Sequence, residues 1–556
     1  MCHRNLFYHI AVISFTGIIT ISVAAQQKPD SGHTIQELNK SSFFPKTRLM
    51  QSITEPVKQE ITAPGGTVVQ IKTIVVSGNS IFSDEELLSL LDIKGKTLDF
   101  SAIHNLADTI TAFYHAHDYP FTRAVIPAQT LTDGKLQIKI IEGRYGDIFI
   151  SNNEINTNYI EAAQQYLSLL KSGNIIKGSE LENICLILDD QPGYKVTPVI
   201  RPGDKIGSGD LIVNMSPETP HGGSVRIDNH GNRYTGSGRV EVKGYLNSPL
   251  TFGDKFDTTI IYTEEKMWFG SVSYSLPILH SGLRGNMGFQ HTDYQLGKEF
   301  SSLDAHGTAD IISTGLSYPL IRSQQKNLSL FTTYQRKWLV DEQRITSTKA
   351  KKSSDTITTA LNFDYRDTLW GGGVTYGSLS WTHGLLDLDD NLYTIDNLTA
   401  HTQGVFDKIN WDIRRLQTLP TQKLSLFTRI VGQKAFENLD SSEDFGLGGP
   451  SAVRAYPAGE SYGDEGMLGQ IELRYIYKNN INPYIFYDYG HIKTNHTAWT
   501  TQDNDRTIGG IGLGLRATYK KLNIDTAAAW RAIGGPPQSD SRITTPTFWL
   551  NISYSF

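Results

Sequence analysis

Two cysteines in 556 residues exclude a fold stapled by disulfides. Cys2 lies at the very start, ahead of the first apolar segment, and Cys185 stands alone in an apolar helical pattern, the setting of a structural thiol rather than a reactive one. Basic charge is not in excess either: the formal net charge is −6, which gives no electrostatic footprint for nucleic acid. Beyond the N-terminus no window approaches the roughly 18 uninterrupted apolar residues of a spanning helix. No Ser-His-Asp set or carboxylate pair can be assembled. His115 and His117 flank Ala116 near a helix end, but no carboxylate or cysteine lies at ligand spacing. The sequence implies no enzyme, no metal and no cofactor.

What is present begins with a secretory leader. His3 and Arg4 make a short polar start, Leu6 to Val23 run apolar, and Val23-Ala24-Ala25 supply the small residues of a cleavage site before Gln26. Residues 1–25 are expected to leave as a signal peptide. Residues 26–66 form a polar linker punctuated by Pro29, Pro45, Pro56 and Pro64, in which Thr34 to Phe44 are compatible with one short helix. Residues 67–144 and 145–220 then repeat one order with a period of roughly 75 residues: strand, helix, helix, strand, strand. In the first copy Val68–Val76 reads as a strand, Ser83-Asp84-Glu85-Glu86 as a helix cap, and Ile103, Leu106, Ile110, Phe113 and Tyr114 recur at helical spacing. In the second, Tyr159, Ala163, Tyr166 and Leu170 mark one helix and Leu181, Ile184, Cys185 and Leu188 another. Each copy is a small α+β module.

From 221 to 556 helical periodicity disappears. About sixteen alternating segments follow, among them Arg239–Tyr245, Ser329–Trp338, Leu424–Val431 and Phe548–Tyr554. Short breaks near 247–253, 277–282, 320–326 and 478–481 alternate with longer ones near 295–306, 340–353, 434–464 and 490–506. Aromatics sit near segment ends: Tyr262, Trp268, Trp338, Trp370, Trp381, Trp411, Trp530 and Trp549 are expected to form interfacial girdles. The pattern is that of an all-β transmembrane barrel of antiparallel strands, with short periplasmic turns and longer surface loops. In hydrocarbon a sheet must close on itself to pair every backbone group.

Several motifs then align with a known family. Tyr119-Pro120-Phe121-Thr122-Arg123-Ala124, Thr132-Asp133-Gly134-Lys135-Leu136 and Ile140-Ile141-Glu142-Gly143-Arg144 resemble a polypeptide-transport-associated (POTRA) domain. Gln191-Pro192-Gly193-Tyr194 with Arg201-Pro202-Gly203 resembles a second. Gly448-Gly449-Pro450-Ser451-Ala452-Val453-Arg454-Ala455-Tyr456-Pro457 is similar to the long-loop motif of two-partner secretion transporters of the haemolysin secretion/activation type. Phe486-Tyr487-Asp488-Tyr489-Gly490 is similar to the strand motif that pairs with it, and Asp228-Asn229, Gly231 and Thr235-Gly236 fit the first barrel hairpin. The likeness spans nearly all of the mature chain in order. It departs at Ala455, where glycine is usual, and this bears on the backbone at the loop tip.

The resemblance implies a sixteen-stranded barrel of the Omp85 superfamily in the bacterial outer membrane, with two POTRA domains in the periplasm. It implies a large secreted partner protein carrying an N-terminal secretion domain, a monomeric transporter among outer-membrane lipid and lipopolysaccharide, and a helix that plugs the pore. Thr34–Phe44 is the one candidate plug, with Thr34, Leu38, Phe43 and Phe44 as its residues. The expected clamp is Arg454 forked onto Asp488 inside the barrel, with Val453, Tyr456, Phe486, Gly490, Gly448 and Gly449 around it. Gly509-Gly510-Ile511-Gly512-Leu513-Gly514 lies in an alternating strand without a following helix, so close packing rather than phosphate binding is expected. Asp440, Glu443, Asp444, Asp464 and Glu465 fit a hydrated surface loop or a calcium site. Two other functions compete with partner export: assembly of other barrels by an Omp85-type factor, and a diffusion porin, which needs no periplasmic modules.

Overall fold

The computed structural model describes residues 28–38, 45, 68–91, 97–151, 155–478, 480–541 and 544–556; the expected leader and most of the linker, Phe43 and Phe44 included, lie outside them. A helix, α1 (Ser31–Leu38), comes first. The first module holds β1 (Val69–Gln70), β2 (Thr73–Ser77), α2 (Asp84–Ser89), β3 (Thr97–Leu98), α3 (Phe100–Ala116), β4 (Arg123–Val125) and β5 (Lys135–Ile141). The second holds β6 (Arg144–Ser151), α4 (Thr157–Leu167), α5 (Gly178–Asp189), β7 (Tyr194–Pro202) and β8 (Ser208–Pro217). The repeat is real in three dimensions. In both sheets the last strand lies in the middle, parallel to the first and antiparallel to the third, in the orders β2-β5-β4 and β6-β8-β7.

Local chemistry sets these elements. Ser83 and Glu86 close a capping box on α2, and the Asp99 carboxylate accepts from the Ala102 amide at 2.7 Å to start α3. The expected single strand Val68–Val76 is broken in two. Ile71 drops into the module core and the Lys72 amide donates to the Gly134 carbonyl at 2.8 Å, so no ladder runs through. Asp118, at φ 75, joins the modules: its carboxylate accepts from the Ser179 amide at 2.8 Å and its carbonyl from Gly178 at 3.0 Å. Cys185 is fully buried in the second core, which pushes its thiol up to about 12. It is expected to resist maleimide in the folded protein and to react only after denaturation; labelling without denaturant would place it at the surface.

The remaining chain alternates so as to present apolar residues outward. Its elements are β9 (His221–Asp228), β10 (Arg239–Asn247), β11 (Lys255–Thr263), β12 (Trp268–Pro277), β13 (Arg284–Gln295), β14 (Ala305–Arg322), β15 (Lys326–Gln343) and β16 (Thr348–Asp367). There follow β17 (Gly373–Leu388), α6 (Asp390–Asp396), β18 (Gly404–Thr418), β19 (Leu424–Ala435), β20 (Phe445–Gly446), β21 (Tyr462–Gly463) and β22 (Glu465–Tyr475). Last come β23 (Ile481–Lys493), β24 (Asp505–Tyr519), β25 (Leu522–Ile533) and β26 (Thr547–Ser555). All of these strands except β20 and β21, sixteen in number, close into one antiparallel barrel in which β26 meets β9. Outward side chains such as Ile312, Leu316, Ile357, Leu379 and Trp381 are exposed, as a lipid-facing surface requires. The seam is the shortest junction: β26 pairs β9 only from Asn551↔Asp228 to Ser555↔Ser224. Above it the Asn229 side chain stands in for a strand, donating to the Phe548 carbonyl and accepting from the Leu550 amide, both at 2.8 Å.

Two barrel expectations need correction. The break at 340–353 is not a long loop. β15 and β16 stay paired up to Gln343↔Thr348, so a tight turn suffices; polar residues such as Asp341 and Lys352 had mimicked a loop because they point into the barrel rather than into medium. Trp549 is not a girdle residue. It lies on the inward parity of β26, 7 % exposed, while its neighbour Phe548 faces lipid.

Candidate loop clamp and plug inside the barrel

The connection 436–464 between β19 and β22 turns back into the lumen. β20 pairs with β21 to form its stem, which leaves 447–461 as the tip. Glycine is needed where the tip folds on itself. A Cβ on Gly448 would lie 2.2 Å from the Pro457 carbonyl oxygen, and Gly449 holds φ +104 against Ala458. The Val453 amide donates to the Leu447 carbonyl at 3.0 Å, and both side chains are fully buried. Gly490 on β23 gives Leu447 its space, since a Cβ there would sit 2.2 Å from Leu447 Cδ1.

This fold of the tip drives Arg454 onto the wall. Arg454 Nε and Nη2 donate to the two Asp488 oxygens at 2.8 and 2.7 Å, and the Arg454 amide adds a third bond at 3.0 Å. Nη1 reaches Glu472 at 2.5 Å. The guanidinium carbon lies over Phe486, 3.5 Å from the ring centroid. Asp488 is 0 % exposed, so solvent does not screen the fork. Tyr456 fills the space beyond and donates to the carbonyls of Ile533 and Gly535 at 2.6 and 2.8 Å. All eight residues expected in the clamp meet in this one region.

Sequence reasoning missed the rest of the cage. Glu472 and Gln470 are on the inward parity of β22, opposite lipid-facing Met467 and Ile471; a carboxylate alternating with outward aliphatics was the readable signal. Gln470 Nε2 bonds both the Ala452 carbonyl, at 2.8 Å, and Asp488, at 3.2 Å. Trp549 Nε1 donates to the Arg454 carbonyl at 2.7 Å. The glycine run of β24 is packing, as expected: Cβ atoms on Gly510 and Gly512 would lie 2.3 Å from Ala455 Cβ and from Phe486 Cζ. Gly510 also accounts for Ala455. The loop carries a methyl group because the wall opposite carries none, and Ala455 is not among the positive-φ residues.

The second group of expected residues shifts by a few positions. The helix is Ser31–Leu38, beginning three residues before Thr34 and ending at Leu38. Gly32 lies inside it for a steric reason: its Cβ would meet Ser442 N at 2.5 Å. The Ser31 amide and hydroxyl donate to Asp341 at 3.0 and 2.7 Å. Ile35 packs among Ala309, Ile311 and Leu339, and Leu38 packs near Tyr234 and Met267. His33 is stacked on Tyr462 at 4.0 Å and lies 3.2 Å from both Asp30 and Asp444. Burial works against charge on this imidazole, but the two carboxylates outweigh it and hold its pKa at about 10. α1 therefore docks on the inner face of β14 and β15 and on the long loop together.

The acidic residues of that loop have partners within the protein. Asp440 pairs with Lys352 at 2.8 Å, Glu443 lies between Lys337 and Lys408, and Asp444 faces His33. Asp464 accepts from the Leu439 and His496 amides at 3.0 and 2.6 Å. Inward lysines on β15, β16 and β18, invisible as partners in the linear sequence, neutralise Asp440 and Glu443. Among the described residues no group of three or more His, Cys, Asp or Glu could hold a metal ion. His115 and His117 instead bond the carbonyls of Thr122 and Phe113 at 3.0 and 2.8 Å.

Known proteins share the sequence pattern and the fold of this chain. The family model described as haemolysin secretion/activation protein ShlB/FhaC/HecB matches residues 207–517, and that of the POTRA domain, ShlB-type, matches 69–143. The heme/hemopexin transporter protein HuxB of Haemophilus influenzae is 26% identical over 529 residues, covering 91% of each chain. The hemolysin transporter protein HpmB of Proteus mirabilis is 22% identical, covering 97% of this chain and 95% of its own. Among solved structures, CdiB from Escherichia coli superposes with a TM-score of 0.69 at 18% identity, covering 94% of this chain and 95% of CdiB. BamA from Haemophilus ducreyi reaches 0.52 at 12% identity, over 88% of this chain. With the family model spanning more than half its length, the chain belongs to the ShlB/FhaC/HecB family of haemolysin secretion/activation proteins, outer-membrane transporters of two-partner secretion.

Proposed function

We propose that this protein exports one dedicated, large secreted partner, recognised in the periplasm by an N-terminal secretion domain and carried through the barrel as an extended chain. The observation that carries this reading is a lumen whose occupants are both fastened by side chains: the long loop through Arg454 on Asp488 and Glu472, and α1 through Asp341 and the same loop. A porin has no need of either, nor of periplasmic modules. The protein works as a monomer among outer-membrane lipid and lipopolysaccharide, without nucleic acid, cofactor or a covalent step. Deleting the gene is the test. Loss of one large protein from surface and medium supports export; a general loss of outer-membrane barrels would instead make this an assembly factor.

The modules are the receiving end. β4 and β7 are edge strands of their sheets, and an extended peptide can add to such an edge by main-chain hydrogen bonding. Photocrosslinking residues placed in both modules are expected to capture the partner during export. Capture confined to the barrel would remove the modules from recognition.

A further inference from the structure

We infer that Arg322 and Asp190 are positioning residues for export, whose fork fixes the second module against one side of the barrel's periplasmic rim so that module and barrel act as one body. The inference rests on the export reading above. Arg322 lies at the periplasmic end of β14 and is 6 % exposed. Its Nε and Nη2 bond the two Asp190 oxygens at 2.8 and 3.0 Å, while Nη1 reaches Asn327 at 2.8 Å. Asp190 ends α5. A bidentate pair of this kind sets an angle as well as a distance, because the guanidinium plane and the carboxylate plane must coincide.

Neighbouring bonds point the same way. The Gln324 amide donates to Glu182 on α5 at 3.0 Å, and Arg284 Nη1 donates to Gln191 at 2.8 Å. The Ser248 hydroxyl donates to the Pro192 carbonyl at 2.7 Å. These partners lie in the turns after β10 and β14 and at the start of β13, so the module is held at separated points on one rim, and rotation about any one is opposed by the others. Phe252, from the turn after β10, enters the module's own apolar core beside Tyr166 and Tyr194. The core of the second module is thus completed by a barrel residue, which a mobile tether would not supply.

Spin labels on cysteines replacing exposed Leu169, in the second module, and exposed Trp370, in the turn after β16, read this geometry by pulsed electron paramagnetic resonance; buried Cys185 takes no label. The parent is expected to give one narrow distance distribution. Asp190→Ala and Arg322→Ala should each broaden it and cut secretion by roughly tenfold or more while the barrel still inserts. The exchange Asp190→Arg with Arg322→Asp should narrow the distribution again and recover part of the secretion. Narrow distributions in both single variants, broadening with undiminished secretion, or an exchange no better than either single variant would each overturn the inference. The distance is read on purified protein without partner, so it stands apart from the identity of the cargo.

Discussion

Arg454→Ala is expected to abolish secretion while leaving a folded, inserted barrel. The substitution leaves Asp488 and Glu472 facing each other without their shared cation, and removing one member of a buried pair costs about 3–5 kcal/mol. That shifts the ratio of docked to free loop by roughly a hundredfold or more. Asp488→Ala should do the same from the other side. The double variant should lose no more than either single one, because the loop is already free once one partner is gone. Arg454→Lys should rescue poorly: an ammonium keeps the charge but cannot fork onto Asp488, reach Glu472 and lie on Phe486 at once. Heat-modifiable migration of the barrel checks assembly, and partner in the medium checks export. Normal secretion by both single variants would reduce the fork to a structural contact.

Removing residues 31–38 is expected to raise single-channel conductance in planar bilayers without ending secretion. Gly32→Leu should open the pore nearly as well, since its side chain would occupy the place of the Ser442 backbone. The docked helix should also respond to pH. The His33 pKa is raised from 6.5 in water to about 10 when docked, so its contribution to docking is complete below about 6.5 and fades as pH climbs towards 10. Open events should therefore become more frequent across that window, and His33→Ala should flatten the dependence. Conductance unchanged by both the deletion and Gly32→Leu would leave α1 a passive tenant.

Much of this was written in the chain. Alternation fixed which face of each strand meets lipid, because a residue's neighbour two along must share its side. The loop and strand motifs led to the Arg454–Asp488 pair although 34 residues separate the two. What stayed hidden depends on inward charges meeting across the lumen. Lys337, Lys352 and Lys408 lie on three strands, and nothing local announces that Glu443 and Asp440 are their partners. The same inward polarity made 340–353 resemble a surface loop. Trp549 was misplaced because tryptophan near a strand end is usually interfacial, and only its parity within β26 shows that it faces the clamp.

The narrow seam between β9 and β26 bears on the order in which the molecule forms. These strands are the first and last of the barrel, so their meeting closes the longest loop in it, and a contact so distant along the chain is reached late and slowly. Until β26 arrives, Trp549 cannot hold the Arg454 carbonyl and Thr547 cannot donate to that of Ala455, as it does at 3.0 Å. The site that receives the loop tip is therefore unfinished until the final strand is in place. A ribosome that stops short, or a protease that trims the last dozen residues, yields a sheet that neither closes nor locks, and quality control in the periplasm meets an open edge instead of a finished channel.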